Sequence, residues 1–295
     1  MSQVAKSPIG GKRPFILRKG IASLADLKDG LIALGLDVGG NVIYVDSDNK
    51  GDVSTIAGGV ALASAGDIVV VSPGAYNETV TVNKRLTIVG LGGRGAAFIE
   101  PSTAGAEGMQ VTADDVTLIN LGVASDDTGS YALNLNAVSR FRAHGCKFEC
   151  ASGASTICAL LDGTATDQVG DALFSDCEFA WAAQGIVADA SAYGVPTQIF
   201  VEGCKFHNIT TAHIAENDAD AWFTNLIVSD CVFEGDEAGA EPTDYIVVDH
   251  ASSSGLFSGN RFAIATNATA KLTIGAQVMW VANATEAGWS TARPA

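Results

Sequence analysis

Short runs of aliphatic and β-branched residues recur along the chain, and turn residues separate them. Val116–Ile119, Gln198–Val201 and Asn225–Val228 are examples. Each is followed within a few residues by a phrase in which apolar and polar positions alternate, such as Gly203–His207. Side chains that alternate in this way point to opposite sides of a strand, and short β-branched runs are typical of strands. The pattern therefore predicts many short strands separated by turns.

The alternating phrase is an internal repeat. Its clear copies are Gly145–Glu149, Asp176–Ala180, Gly203–His207, Asp230–Glu234 and Gly259–Ala263, and weaker copies lie at Asn120–Val123 and Gly90–Leu91. Successive copies are 25 to 31 residues apart. A constant phrase at a variable spacing is typical of a solenoid whose strands stack regularly while its turns accept insertions. We expect about seven coils, stacked roughly 4.8 Å apart.

Stacking the copies predicts two interior ladders. Their members are Cys146, Cys177, Cys204, Cys231 and Asn260 in the first ladder, and Phe148, Phe179, Phe206, Phe233 and Phe262 in the second. Between them an outward row begins with Lys147, Glu178 and Lys205, which we expect to pair by charge. The ladder cysteines are predicted to be buried thiols that act as small apolar residues, not disulfides or metal ligands. Cys150 and Cys158 fall outside the ladder and are candidates for a disulfide under oxidising conditions.

One segment resembles a known superfamily. Gly66-Asp67, the apolar run Ile68–Val71, the motif Pro73-Gly74-Ala75-Tyr76-Asn77-Glu78 and a strand ending at Gly90 follow one another here. This order resembles the opening of the pectin-lyase-like right-handed β-helix superfamily. The resemblance implies a short helix over Thr55–Ala65 that plugs the open end of the first coil. It says little about chemistry, because lyases, hydrolases and structural shafts share the fold.

Together these features predict an all-β chain, a right-handed parallel β-helix with a short N-terminal helical cap and an extended arm. The predicted parts are an arm over 1–20, a cap of helix and strand over 21–52, the β-helix over 53–262 and a C-terminal cap over 263–295. The cap helix carries a capping box, Ser23 with Asp26, and the cap strand is Val42–Val45.

Charge is divided unevenly along the 295 residues. The net charge is −16, yet residues 1–20 carry five basic residues and no acid, so the rest of the chain carries −21. Nucleic acid is an unlikely main partner for so acidic a body, because phosphate binding needs clustered Lys and Arg. No stretch resembles a membrane span, and Met1–Gly20 lacks the apolar core of a secretory signal. We therefore expect synthesis in a cytoplasm, without export by the usual signal.

No catalytic set stands out in the sequence. The adjacent acids Asp114-Asp115, Asp126-Asp127 and Asp236-Glu237 lie in Gly-, Ala- and Thr-rich stretches, where acids are usually solvated. The four histidines have no Ser or Asp at a spacing typical of a catalytic set, and the candidate sugar-binding aromatics are two tryptophans. These residues are His144, His207, His213, His250, Trp181 and Trp222. The sequence predicts no catalytic residues, no cofactor and no metal.

These absences favour a structural protein of a phage virion, not an enzyme. The first hypothesis is a homotrimeric capsid decoration protein, bound to the major capsid protein or another virion protein through its basic arm. The arm residues are Lys6, Lys12, Arg13, Arg18 and Lys19. A tail spike or fibre that binds or cleaves a host surface polysaccharide is the first alternative. A free polysaccharide lyase or hydrolase is the second.

Overall fold

In a computed structural model, the chain winds into a right-handed parallel β-helix of about eight turns, which confirms the predicted fold class. The structure describes residues 41–103, 105–126, 130–150, 156–164, 167–189, 195–217, 221–235, 242–263, 272–285 and 288–290. The predicted arm and cap helix lie outside these ranges. No helix in the described ranges is long and apolar enough to cross a membrane.

Each coil contributes strands to three faces. The first face is a parallel sheet whose strands are β1 (Val42–Val45), β2 (Ile68–Val71), β5 (Thr87–Gly90), β8 (Thr117–Ile119), β11 (Arg142–His144), β14 (Gly170–Ser175), β16 (Thr197–Glu202), β18 (Thr224–Ser229), β21 (Gly255–Ser258) and β24 (Val278–Val281).

The second face follows a tight turn. Its strands are β3 (Gly74–Tyr76), β6 (Ala97–Ile99), β9 (Leu121–Ser125), β12 (Lys147–Cys150), the first halves of β15 (Glu178–Asp189) and β17 (Lys205–Glu216), then β19 (Val232–Glu234), β22 (Arg261–Ala263), β25 (Asn283–Thr285) and β26 (Gly288–Ser290). The last of these pairs antiparallel with β25.

The third face completes each coil. Its strands are β4 (Val80–Val82), β7 (Met109–Val111), β10 (Tyr131–Asn136), β13 (Ile157–Asp162), the second halves of β15 and β17, β20 (Ile246–Val248) and β23 (Leu272–Ile274). Residues that face inward from all three sheets form one continuous apolar core.

The superfamily motif holds the N-terminal helix in place. Helix α1 (Ile56–Leu62) has Thr55 as its N-cap, and the Glu78 carboxylate accepts hydrogen bonds from the Ile56 and Ala57 amides at 2.6 and 2.9 Å. Tyr76 donates its hydroxyl proton to the Ser72 carbonyl at 3.0 Å. An acid at a helix N-terminus satisfies amides that lack partners within the helix. The Tyr and Glu of the motif are therefore structural residues here.

The turn between the first and second faces explains why the repeated phrase begins with Gly, Asp or Asn. Its first residue has left-handed backbone in every copy from Asn120 to Gly259, with φ between 51° and 68°. Gly, Asn and Asp tolerate this conformation best. The next residue then enters the core as a member of the first ladder.

Members of the Cys/Asn ladder form hydrogen bonds from coil to coil. The thiol of Cys204 donates to the Phe174 carbonyl at 3.4 Å and accepts from the Cys177 amide at 3.4 Å. Asn260 does the same with its amide group, donating to the Val228 carbonyl at 2.9 Å and accepting from the Cys231 amide at 2.9 Å. The ladder cysteines thus form the same hydrogen bonds as asparagine does, but weaker ones. The sequence predicted only that they would act as small apolar residues.

The phenylalanines of the second ladder are in register and buried. Consecutive rings from Phe148 to Phe262 are stacked, with centroids 4.6 to 5.4 Å apart. Trp280 continues the stack, 5.3 Å from Phe262. All six cysteines are free and buried, Cys150 and Cys158 included.

Two local predictions were wrong. The weak copy at Gly90–Leu91 is not a ladder position, because Ala97 pairs with Leu121 in the next coil. The outward residues Lys147, Glu178 and Lys205 are in register but do not pair with one another. Their ion-pair partners are Glu149 for Lys147, Arg94 and His207 for Glu178, and Glu234 for Lys205. An insertion displaces the first copy, and other residues, such as Glu149 on the same strand as Lys147, supply the ion-pair partners of the outward row.

Candidate active site on the third face

Polar and acidic side chains line up on the outer side of the third face. Asn136, Asp162 and Asp189 end successive strands and are paired in register across adjacent coils. Paired residues on neighbouring parallel strands lie roughly 4.8 Å apart. The helical winding thus places two carboxylates side by side although they are 27 residues apart in the sequence.

A third carboxylate and a buried amide lie close to this pair. Glu107 immediately precedes the β7 region, and its Oε1 accepts a long hydrogen bond of 3.5 Å from Asn134 Nδ2. Asn134 is only 4% exposed, and its Oδ1 atom has no hydrogen-bond partner. A buried acceptor without a donor is unusual in folded proteins, where most such groups are satisfied. The amide of Asn134 therefore joins β10 to Glu107.

The pKa values on this face show that the acids interact. Burial raises the pKa of Asp162, and the charge of Asp189 raises it further. Burial also raises the pKa of Glu107, an effect that the hydrogen bond from Asn134 opposes and the charge of Asp162 reinforces. The pKa of Tyr131 is raised by burial first and then by all three carboxylates. Carboxyl groups shifted in this direction keep a proton at higher pH than ordinary acids, as a general acid requires.

An apolar cluster on the outer side of the same sheet supplies the low-dielectric surroundings. Its buried members are at most 5% exposed, and they are Ile157, Leu160, Val187, Ala212 and Ala215. Tyr131 and Val247 pack against them. Apolar surroundings disfavour the charged form of a neighbouring carboxyl group. The cluster therefore accounts for the burial that raises the pKa of Asp162.

An aromatic pair lies beyond the strand ends on the coils that follow Asp189. The rings of Trp222 and His250 are stacked, with centroids 4.8 Å apart and planes 12° from parallel. Glu216 holds the two connecting segments together, because its carboxylate accepts from the Phe223 amide at 3.0 Å and from the His250 amide at 3.1 Å. Half-buried aromatic rings of this kind are surfaces on which a sugar ring can stack.

The residues that the sequence singled out lie elsewhere. The arm residues Lys6, Lys12, Arg13, Arg18 and Lys19 are outside the described ranges, so the arm stays a prediction. The two ladders are inside the solenoid. Asp114 and Asp115 form ion pairs with Arg140 on the surface. Asp127, Asp236 and Glu237 are outside the described ranges, and no group of His, Cys, Asp and Glu within those ranges could hold a metal ion.

The histidines and tryptophans have distinct environments. His144 forms a hydrogen bond with Ser175, and His207 with Glu178. His213 is fully buried in the core. Trp181 is 39% exposed and has left-handed backbone with φ of 59°. Trp222 and His250 stack on each other in the connections that follow β17 and β20.

Sequence analysis missed Glu107, Asn134, Asp162 and Asp189. It looked for acids adjacent in the sequence, whereas these acids become neighbours through the winding of the chain. A usable signal was present: Asn136, Asp162, Asp189 and Asn217 follow apolar strands at intervals of 26, 27 and 28 residues. These intervals match the coil length of the repeated phrase.

Comparison with known proteins gives matches at the level of structure alone. No protein-family model matches the chain, and no curated protein does. An alginate lyase from Paenibacillus matches with a TM-score of 0.64 and 13% identity, over 83% of this chain and 87% of that one. A pectin methylesterase from Aspergillus niger matches with a TM-score of 0.57 and 15% identity, over 85% of this chain and 87% of that one. The rice weevil pectin methylesterase matches with a TM-score of 0.54 and 13% identity, over 93% of this chain and 91% of that one.

These matches correct one prediction. The chain was expected not to be an enzyme, yet the solved structures it resembles are enzymes, and its third face carries acids with raised pKa values. The absence of sequence motifs was a poor guide, since the acids come together only in three dimensions. At 13 to 15% identity the likeness extends to the fold. The chain shares the right-handed parallel β-helix fold of these solved structures.

Proposed function

We propose that this protein acts on a polysaccharide and hydrolyses glycosidic bonds at the third face. The observation that carries the proposal is the pair Asp162 and Asp189, paired in register on adjacent coils, with the pKa of Asp162 raised. Glycoside hydrolysis uses two neighbouring carboxyl groups, of which the general acid has a raised pKa. The names of the similar structures, pectin methylesterase and alginate lyase, support a polysaccharide as the substrate.

In the proposed mechanism Asp162 is the general acid. Its proton goes to the glycosidic oxygen as the bond between that oxygen and the anomeric carbon breaks. The Asp189 carboxylate attacks the anomeric carbon and forms a glycosyl ester. Water, deprotonated by Asp162, then displaces Asp189, so that both carboxyl groups return to their starting states. Strand pairing places the backbones of Asp162 and Asp189 roughly 4.8 Å apart, which allows their carboxyl groups the separation of about 5 Å that favours this two-step, retaining route.

Hydrolysis fits the described residues better than elimination. The strands of the third face contain no Lys or Arg. Lyases resembling this fold use a basic Arg or Lys together with acids that hold calcium. In contrast, every titratable group of the Asp162 cluster is an acid or a tyrosine. The stacked Trp222 and His250, in the connections that follow β17 and β20, offer a surface on which a sugar ring can stack.

The experiment incubates the full chain with a panel of neutral, amino-sugar and acidic polysaccharides and measures new reducing ends. We expect reducing ends without the ultraviolet absorbance of an unsaturated sugar, and a first product with the anomeric configuration of the substrate. Asp162→Asn should lower the rate by at least about 100-fold, the scale of a general acid's contribution.

Glu202→Gln is the matched control, because Glu202 is an exposed carboxylate at the end of a strand on the first face. Its rate should equal that of the wild-type chain. If no polysaccharide in the panel is cleaved, or if Asp162→Asn is as active as Glu202→Gln, the proposed function is wrong.

We also propose a location for this activity, namely a phage particle to which the basic arm attaches the body. Only the charge asymmetry between residues 1–20 and the rest supports it. A tail spike or fibre is then the fitting component, since such proteins meet host polysaccharides. Deleting residues 1–20 should abolish binding to the particle and leave polysaccharide cleavage unchanged. A truncated chain that still binds the particle would refute the role of the arm.

A further inference from the structure

We infer that Ser175 and His144 form a second active site, on the outer side of the first face, which hydrolyses carboxylic esters with an apolar acyl group. The inference does not depend on polysaccharide hydrolysis at the third face. Two independent observations carry it. The serine and the histidine share a hydrogen bond, and a row of apolar side chains begins beside the serine on the same outer surface.

Strand pairing brings the serine and the histidine together. His144 ends β11, Ser175 ends β14, and the two residues are paired in register on adjacent coils. The Nδ1 atom of His144 lies 2.5 Å from the Oγ atom of Ser175, within the reach of a general base and its nucleophile. Both residues are half-buried and point outward, since Ala143 and Phe174, one position earlier on each strand, point into the core.

His144 is in the state that a general base requires. Burial lowers the pKa of His144, and the positive charge of Arg142 acts in the same direction, whereas the charges of nearby acids oppose the shift without reversing it. The imidazole is therefore neutral at pH 7 and can accept the hydroxyl proton of Ser175. Arg142 precedes His144 by two residues on the same side of the strand, and Asp171 holds its guanidinium at 2.9 Å. A fixed positive charge there favours the negative tetrahedral intermediate of ester hydrolysis.

The apolar row indicates the acyl group. Its members point outward from the first face and are paired in register on five consecutive coils; they are Leu173, Phe200, Ile227, Leu256 and Met279. Leu173 precedes Ser175 by two residues on the same strand, so the row begins about 7 Å from the nucleophile. Five rungs make a strip about 19 Å long. A contiguous apolar strip on an outer surface usually marks a binding surface, and an acyl chain lying along it would bury apolar area on both sides.

In the inferred reaction, the Oγ atom of Ser175 attacks the carbonyl carbon of the ester while His144 takes the hydroxyl proton. The bond between that carbon and the alcohol oxygen then breaks, and His144 gives its proton to the departing alcohol. Water, deprotonated by His144, attacks the acyl-serine, and the carboxylic acid leaves as Ser175 regains its proton. Each turnover consumes one ester and one water, and both residues return to their starting states.

The test treats the full chain with a fluorophosphonate probe, which labels activated serines covalently, and with the p-nitrophenyl esters of acetate and hexanoate. We expect peptide mass spectrometry to locate the label at Ser175, and kcat/KM for the hexanoate ester to exceed that for the acetate ester by at least about tenfold. Ser175→Ala should abolish the label and lower the rate of ester hydrolysis by at least about 100-fold. Phe200→Ala should lower kcat/KM for the hexanoate ester and leave the acetate ester unchanged.

Ser229→Ala is the matched control. Ser229 also ends a strand of the first face and is half-buried, but its in-register neighbours are Glu202 and Ser258 instead of a histidine. Its label and its rate should equal those of the wild-type chain. The inference is overturned if the probe leaves Ser175 unlabelled, or if Ser175→Ala hydrolyses the hexanoate ester as fast as Ser229→Ala does. Asp162→Asn should keep the full rate of ester hydrolysis, so a failure of polysaccharide cleavage counts against the proposed function alone.

Discussion

His213 offers the sharpest test of the physical reasoning, because it is a titratable group buried in an aromatic stack. Its ring lies 5.9 Å from Phe206 and 5.6 Å from Phe233, and it meets the edge of Tyr245 at 4.8 Å. Neither ring nitrogen has a hydrogen-bond partner. Burial, reinforced by the charge of His207, lowers the pKa of His213 from 6.5 to about 3, although the backbone of Glu234 opposes the shift weakly.

The sign of the pH dependence follows from this shift. A histidine held neutral in the folded state contributes stability above its unfolded pKa, and the contribution is lost as the pH falls from 6.5 toward 3. Each pKa unit corresponds to about 1.4 kcal/mol, so the full loss approaches about 5 kcal/mol. At pH 5 the unfolded chain is already largely protonated, and about 2 kcal/mol has been lost.

The perturbation is His213→Phe, with His213→Leu as a smaller substitution in case the larger ring is strained. Both remove the titrating group and two unsatisfied nitrogens, each of which costs about 1–3 kcal/mol when buried. At pH 7.5 we expect the variants to be at least as stable as the wild-type chain. At pH 5 their advantage in free energy of unfolding over the wild-type chain should be larger by about 2 kcal/mol.

Urea unfolding at both pH values, followed by circular dichroism, measures the difference. His250→Phe is the control, because it replaces a histidine that lies outside the core with the same aromatic residue. Hydrogen exchange of the strands around His213 checks that the coils unfold together, since solenoids can unfold in parts. The reasoning is refuted if the variants lose as much stability between pH 7.5 and pH 5 as the wild-type chain does.

Three further outcomes are expected. Cys204→Asn should match or exceed the wild-type melting temperature, because an asparagine can accept from the Cys177 amide as Asn260 accepts from the Cys231 amide. Cys204→Val should lower the melting temperature, because valine leaves the Cys177 amide without an acceptor. Equal melting temperatures would show that the thiol hydrogen bonds contribute nothing. Glu78→Ala should destabilise the protein by about 1–3 kcal/mol in urea unfolding through the loss of two bonds to helix amides, and Glu78→Gln by less. Asp162→Asn should raise the melting temperature at pH 7, because burial and the charge of Asp189 disfavour the ionised form of Asp162 in the folded chain. The gain should disappear at low pH, where Asp162 is protonated in the folded and the unfolded chain. A lower melting temperature at pH 7 would contradict the direction of the pKa shift of Asp162.

The local sequence determined the course of each coil. Gly145, Asp176 and their equivalents tolerate the left-handed turn, and the Cys and Phe that follow alternate into the core. The Pro73–Glu78 motif closes the first coil by two local contacts, one between Tyr76 and Ser72 and one between Glu78 and the short helix. These features could be predicted because each depends on residues within one coil, or on a phrase that repeats from coil to coil.

Only the tertiary structure decided which polar residues meet. Asp162 and Asp189 are each an isolated acid in the sequence, and only strand pairing brings them into register on adjacent coils. The structure also gave the ladder cysteines their hydrogen bonds, which join residues about one coil apart. The physical reason is the same in both cases. Strand pairing brings residues one coil apart to within about 5 Å, and burial between coils then sets their pKa values and their hydrogen bonds.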